Sequence, residues 1–239
     1  MSTLTKIIVS SILAIFLSSC VFENFGVNGN GNVVSKERTL NGTFNEIKVS
    51  RGLDVYLTQA NSTSIKVQAD ENLHDIIKTE VKDNVLKIYA KENIASSAAK
   101  KIMVNFNNVS KIESTSGSDV FSNNTIQSKE LELSATSGSD MELSIETQTL
   151  VCDASSGADM ELSGKTRSLI AKASSGSEID TENLSSETAQ VKASSGAGVS
   201  VNTSKKITAS ASSGGDITYY GNPEIVEKND NVSGSIRKR

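Results

Sequence analysis

Between Ile112 and Tyr219 apolar and polar residues alternate on both sides of a recurring serine-glycine pair. Three residues before each glycine stand Ser114, Ala135, Ala154, Ala173, Ala193 and Ala211, and five before it stand Ile112, Leu133, Cys152, Ala171, Val191 and Ala209. Three after it come Val120, Met141, Met160, Ile179, Val199 and Ile217, and five after it Ser122, Leu143, Leu162, Thr181, Val201 and Tyr219. Glu132, Ser134, Glu142, Lys172 and Lys192 fall between these columns. A period of two on each side of a glycine predicts two short strands joined by a corner, with the aligned columns pointing inward.

The corner itself repeats. Thr115-Ser116-Gly117-Ser118-Asp119 returns at Thr136, Ser155, Ser174, Ser194 and Ser212, with glycine spacings of 21, 19, 19, 20 and 18. Arg51-Gly52-Leu53-Asp54 is a degenerate seventh copy. A hairpin array would place the motif alternately at opposite ends of a sheet. Like residues at one fixed offset instead predict units stacked at the strand spacing of ~4.8 Å, an all-β parallel solenoid with coils of about 20 residues. A β-sandwich with regular turns is the alternative. Glycine at the corner supplies a positive φ, and small residues before it suit a narrow interior.

Residues 38–108 are strand-rich but aperiodic, with alternating runs around Ile47, Val55, Val67, Ile88 and Val104 and one short helical turn expected over Asn72 to Lys78. Solenoid ends need atypical units because a bare terminal coil exposes a sheet edge. This segment is expected to be the N-terminal part and cap of one domain spanning 37–225, with 226–239 a frayed basic tail ending Ile236-Arg237-Lys238-Arg239.

The first residues carry an address. Ile7 to Leu17 is an apolar run of signal-peptide length, too short to span a bilayer. It closes on Leu17-Ser18-Ser19-Cys20, which resembles the bacterial lipobox. The resemblance implies a signal peptide over 1–19, cleavage before Cys20 and a diacylglycerol on its thiol. The expected partner is therefore a membrane, met through the lipid anchor. The Gly/Asn-rich stretch Gly26 to Asn32 predicts a flexible tether over 20–36.

Val49-Ser50-Arg51-Gly52-Leu53-Asp54-Val55-Tyr56-Leu57 with Gln59, then Val67 to Leu73, the Ser-Gly-Ser-Asp corners and Tyr220-Gly221-Asn222-Pro223 resemble the head GIN family of putative adhesins. The resemblance covers about residues 38–225. It implies a right-handed, single-stranded β-helix at the bacterial cell envelope, at the outer membrane for a lipoprotein of this kind. It implies no reaction, cofactor or catalytic residue.

Composition narrows the chemistry. Of 239 residues, 24 are Lys or Arg and 28 Asp or Glu, a balance that argues against nucleic acid as a partner. One histidine, His74, and two cysteines exclude a multi-His centre and a disulfide framework. Cys152 shares a column with Ile112, Leu133 and Val191 and reads as a buried hydrophobe.

Two residues after the glycines stand Asp54, Asp119, Asp140, Asp159, Glu178 and Asp216, interrupted by Gly198. Such a column could hold a divalent cation. Turn capping with solvated charges is the simpler expectation, so no metal or cofactor is assigned. A polysaccharide-cleaving β-helix would cluster its acids in one odd coil and supply aromatics for sugar rings. Here the acids recur evenly, and Tyr219-Tyr220, the one adjacent aromatic pair, places one ring inward at the C-terminal end. The expected function is non-enzymatic: an envelope-tethered, adhesin-like surface that meets a protein or glycan. A structural component acting by self-association is the second reading.

Overall fold

Each corner turns the chain by placing two consecutive residues in the left-handed region. Ser116 and Gly117 have φ of 59° and 67°, Ser156 and Gly157 58° and 69°, and Ser213 and Gly214 50° and 76°. Arg51 and Gly52 do the same at 65° and 70°, so the degenerate copy is a true corner. Sequence pointed to the glycine alone, but the preceding residue is also left-handed. Two successive positive φ values are the geometry of the tight primed turn. The glycine N–H then donates to the serine carbonyl of the next coil, from Gly117 to Ser137, Gly138 to Ser156 and Gly157 to Ser175, each at 3.1 Å.

The protein's computed structural model describes residues 26–230 and 233–239. It is a β-solenoid of about seven turns with coils of about 19 residues. Strands Asp140–Ser155, Asp159–Ser174, Glu178–Ser194 and Gly198–Ser212 pair in parallel, each with its successor. Leu133, Cys152, Ala171, Val191 and Ala209 stand in one register line, and Met141, Met160, Ile179, Val199 and Ile217 in another. Every aligned-column residue is buried except Ser122, which is half-buried. These long parallel ladders replace the sandwich alternative.

A second bend lies opposite the corner, and the sequence reading missed it. The inward positions run Met141, Leu143, Ile145 and then Leu150, Cys152, Ala154, so the parity changes between Ile145 and Leu150. Hydroxyl side chains fill the inside of this bend. Thr147 Oγ1 donates to Thr166 Oγ1 at 2.9 Å, and Ser186 Oγ donates to the Asn202 carbonyl at 2.7 Å. Gly164 belongs to the same bend because a Cβ there would lie 2.1 Å from the Ile145 carbonyl oxygen.

The N-terminal part forms the cap by looping out of the first coil and returning beneath it. Glu46–Ser50 pairs with Lys111–Thr115 on one side and Val85–Ala90 on the other. Asp54–Gln59 pairs with Asp119–Ser122 and with Lys100–Phe106. Coils separated by about 65 residues in sequence are thus direct neighbours. Below them the pairing turns antiparallel, with Ser64–Asp70 on Lys100–Phe106, Val33–Arg38 on Ser64–Asp70, and Ile77–Lys82 on Val85–Ala90. Large aliphatic residues such as Leu53, Leu73, Ile77 and Leu86 join Phe106 in a core continuous with that of the coils. The expected helical turn is a single 3-10 turn at Glu71–Leu73, and strand begins again at Ile77.

Both ends differ from the sequence reading. Gly26 to Lys36 is not a free tether: Val27–Asn28 pairs with Ile94–Ser96, and Val33–Arg38 is a cap strand. Side chains that composition alone could not place make the difference. The Asp70 carboxylate accepts the Gly31 N–H at 2.9 Å, Asn72 Oδ1 accepts the Asn30 N–H at 3.0 Å, and Asn72 Nδ2 donates to the Asn28 carbonyl at 2.8 Å. The tail is also built in. Ile225–Asp230 pairs with Lys206–Ala211, and Ser235–Lys238 with Asp216–Tyr219, making a final partial coil. Tyr219 is the inward tyrosine, and Lys228 Nζ lies 4.8 Å above its ring.

Candidate functional site

The acidic column stands on the strand that leaves each corner. Asp54, Asp119, Asp140, Asp159 and Glu178 are register partners, Gly198 follows, and Asp216 closes the line. Their backbone N–H groups hold the stack: Asp140 donates to the Ser118 carbonyl and Asp159 to the Ser139 carbonyl, each at 3.1 Å. Strand alternation puts a second column on the same face two residues further on, where Glu142, Glu161 and Asp180 are register partners. The two columns and Phe121 border an open groove of about 400 Å³.

Electrostatics along the groove is uneven. At its N-terminal end Lys100 Nζ reaches Asp54 Oδ1 at 3.3 Å and also donates to the Gly52 carbonyl. Asp119 has lost part of its hydration and lies between Asp54 and Asp140, so its carboxyl is raised above the ordinary aspartate value despite Lys100. Beside it Tyr56 stacks on Phe121 with ring centroids 5.1 Å apart, and Lys101 Nζ sits 5.6 Å above the Tyr56 ring. No group of three or more His, Cys, Asp or Glu side chains with metal-holding geometry occurs among the described residues.

The second acidic column and the aromatic stack were legible but went unread. Glu142 and Glu161 fall four residues after their glycines, as do Tyr56 and Phe121. The runs of Ser and Thr at the corner are expected from sequence to hydrogen-bond to neighbouring coils, and the serines one residue after the glycine do so from buried positions. Ser139 Oγ donates to the Ser114 carbonyl at 2.9 Å, and Ser177 Oγ to the Ala154 carbonyl at 2.9 Å, so these serines tie corners together inside the coil.

The remaining singled-out residues are distributed, not gathered. His74 is buried in the cap, where its carbonyl accepts a bond from Arg38 at 2.8 Å and its ring Nε2 lies 3.2 Å from the Val34 carbonyl. Cys152 is fully buried, and loss of hydration with Asp153 nearby pushes its thiol up, away from the thiolate a nucleophile needs. Cys20 lies outside the described residues.

On the face before the corner, charges pair. Lys111 Nζ bridges Glu113 and Glu132 at 2.9 Å each, which raises its ammonium above the ordinary lysine value. Lys48 adds a contact to Glu113 at 2.8 Å. The outer surface therefore has a charge-paired cluster on the first coils before the corner and an acid-lined face after it, the acids recurring from Asp54 to Glu178.

Residues 43–223 match the family described as putative auto-transporter adhesin, head GIN domain. The chain belongs to that family. No curated protein matches it in sequence. Among solved structures, the head GIN chain is similar to a putative adhesin from Bacteroides fragilis, at 19% identity and a TM-score of 0.83 over 90% of this chain and 100% of that one. A protein from Parabacteroides distasonis described as a putative lipid binding protein aligns at 22% identity and 0.73 over 89% and 99%. A putative adhesin from Parabacteroides merdae aligns at 18% and 0.69 over 89% and 98%. At these identities the likeness establishes the fold.

Proposed function

We propose that this head GIN chain is a lipid-anchored, non-enzymatic interaction module of the cell envelope, held at the outer membrane and meeting a protein or glycan through its ribbed sides. The observation that carries this reading is the distribution of its outward groups. Carboxylates and hydroxyls repeat at the ~4.8 Å strand spacing along the ladders. A catalytic centre needs unlike groups converging on one reacting atom, whereas a long partner is matched by like groups in register. The adhesin-like family supports the same reading.

Anchoring rests on Leu17-Ser18-Ser19-Cys20. Each buried CH2 contributes roughly 0.8 kcal/mol, so the acyl chains of one modified cysteine hold a protein of this size at a bilayer. The test is labelling with a fatty-acid probe in cells. The wild type takes up label and fractionates with membranes, while Cys20→Ala loses the label and leaves the membrane fraction. Label retained in the variant, or an unlabelled wild type, overturns the anchor.

Self-association is a second reading, supported by one feature. The last long strand, Ile225–Asp230, pairs on one side with Lys206–Ala211 and exposes Ile225 and Val226, 50% and 41% accessible. Concentration-dependent assembly that Val226→Lys abolishes would favour it.

A further inference from the structure

The way the chain enters its fold fixes which end can stand near a membrane. Gly26 to Asn32 is fastened to the cap by the Val27–Asn28 pairing and by the bonds to Asp70 and Asn72. Only Val21 to Phe25 separate Cys20 from this strap. At about 3.5 Å per residue that link reaches at most ~20 Å, where a free tether through Lys36 would reach ~55 Å.

The stack is longer than its link. From Val33–Arg38 at the outer edge of the cap to Ser235–Lys238 the ladder climbs ten strand steps, about 48 Å at ~4.8 Å each. The last coil can therefore touch lipid only if the stack lies on its side. Charge opposes that posture. Residues 107–239 carry 12 Lys and Arg against 18 Asp and Glu, and lying on the acid-lined side would press the columns Asp119 to Glu178 and Glu142 to Asp180 on the headgroups. Residues 26–106 carry 11 against nine. The two outermost cap strands bear Lys36, Lys78 and Lys82 against Glu37 and Glu80, while Arg38 turns inward onto the His74 carbonyl.

We propose that the cap rests on anionic lipid headgroups and that the coils stand away from the membrane, which puts the Ile225–Asp230 edge at the far end. This orientation rests on the lipid anchor proposed above. It assigns the cap to the lipid surface and leaves the sides of the coils for other partners.

The test uses the full lipidated chain in phosphatidylethanolamine–phosphatidylglycerol vesicles carrying a headgroup-linked quencher. Cys152 is buried and Cys20 is acylated, so a single fluorophore can be placed on Lys82→Cys in the cap or Asn229→Cys in the last strand, both exposed positions. The expected result is severalfold stronger quenching at position 82 than at 229, with the difference shrinking when a long Gly-Ser segment is inserted between Phe25 and Gly26. Equal quenching at the two positions in a chain that floats with the vesicles overturns the orientation alone. A chain that does not float overturns the anchor, and the orientation with it.

Discussion

The carboxylate of Asp70 accepts the backbone N–H of Gly31 at 2.9 Å, joining the Gly26 to Asn32 strap to a strand 39 residues away. The same carboxylate takes the N–H groups of Ala98 at 3.0 Å and Ala99 at 2.9 Å, so one fully buried side chain holds three segments of the cap together. Burial alone would raise its pKa, but the backbone donors outweigh that and hold it below the ordinary aspartate value.

The consequence for pH follows from the sign of that shift. A carboxyl held lower in the folded state than in the unfolded one contributes stability above the unfolded value, and loses it as pH falls toward the folded value. Asp70→Asn should cost about 2–4 kcal/mol at neutral pH, since charge-assisted bonds to backbone donors are lost. Thermal melts from pH 7 down to pH 3 should show the wild type losing its advantage below the ordinary aspartate range. A variant as stable as the wild type at pH 7 would contradict this role.

The corners make a second, sharper comparison. At Gly157 nothing lies within 4 Å of the position a Cβ would take, so Gly157→Ala tests backbone strain alone and should cost roughly 1–2 kcal/mol. Gly215 has no positive φ, but a Cβ there would come within 2.3 Å of the Ala193 carbonyl oxygen. Gly215→Ala should cost more, up to about 3 kcal/mol, because backbone must move. Ser156 already occupies the left-handed region, so Ser156→Gly should change stability by less than about 1 kcal/mol. Denaturant melts of the three variants settle the order.

The coils were legible in the sequence because they are periodic. Leu133, Cys152, Ala171 and Val191 announce both their burial and their register by recurring at one offset. The cap was legible only as strand-rich. Its antiparallel pairings and its insertion between two neighbouring coils depend on contacts far apart in sequence, which no local period encodes. Gly26 to Asn32 misled for a related reason. Glycine and asparagine lack a burial pattern, and what orders them is Asp70 and Asn72, about 40 residues downstream. The second bend was hidden by register shifts, since bulges near Glu161 to Gly164 and Thr181 to Ser185 blur the alignment of Thr147, Thr166 and Ser186. The acidic column was fully legible as a ladder, while its neighbour and the Tyr56–Phe121 stack required counting one pleat further.

Register can be tested with adjacent residues. Val191 is fully buried and Lys192 is exposed. Val191→Asp should destabilise by several kcal/mol, as an unpaired charge in a narrow core does, whereas Lys192→Glu should stay within about 0.5 kcal/mol. Similar melting temperatures for the two variants would contradict the inward columns.

The acidic ladder should behave as screened repulsion. Neighbouring carboxylates at ~4.8 Å repel by about 0.9 kcal/mol even at the dielectric constant of water. The raised Asp119 carboxyl means that folding is disfavoured when it ionises, so stability should rise as pH falls through its titration. Asp119→Asn should accordingly raise the melting temperature at neutral pH, by no more than the equivalent of about 1 kcal/mol at this partly exposed site. Melting in millimolar Ca2+ and in EDTA should be the same. A rise of roughly 5 to 10 °C in Ca2+, abolished by Asp140→Asn with Asp159→Asn, would instead identify a cation site at about 100-fold saturation.

The central claim is that the outward sides of the coils meet a partner, and photo-crosslinking in intact cells tests it most directly. A photoreactive residue is placed in turn at Glu161 and Lys172, outward positions on the two faces, and at Val191 in the core. The account predicts a discrete adduct with an envelope protein or glycan from at least one outward position and none from the core position. Outward probes that yield no adduct in cells where the chain is folded and membrane-bound would contradict it.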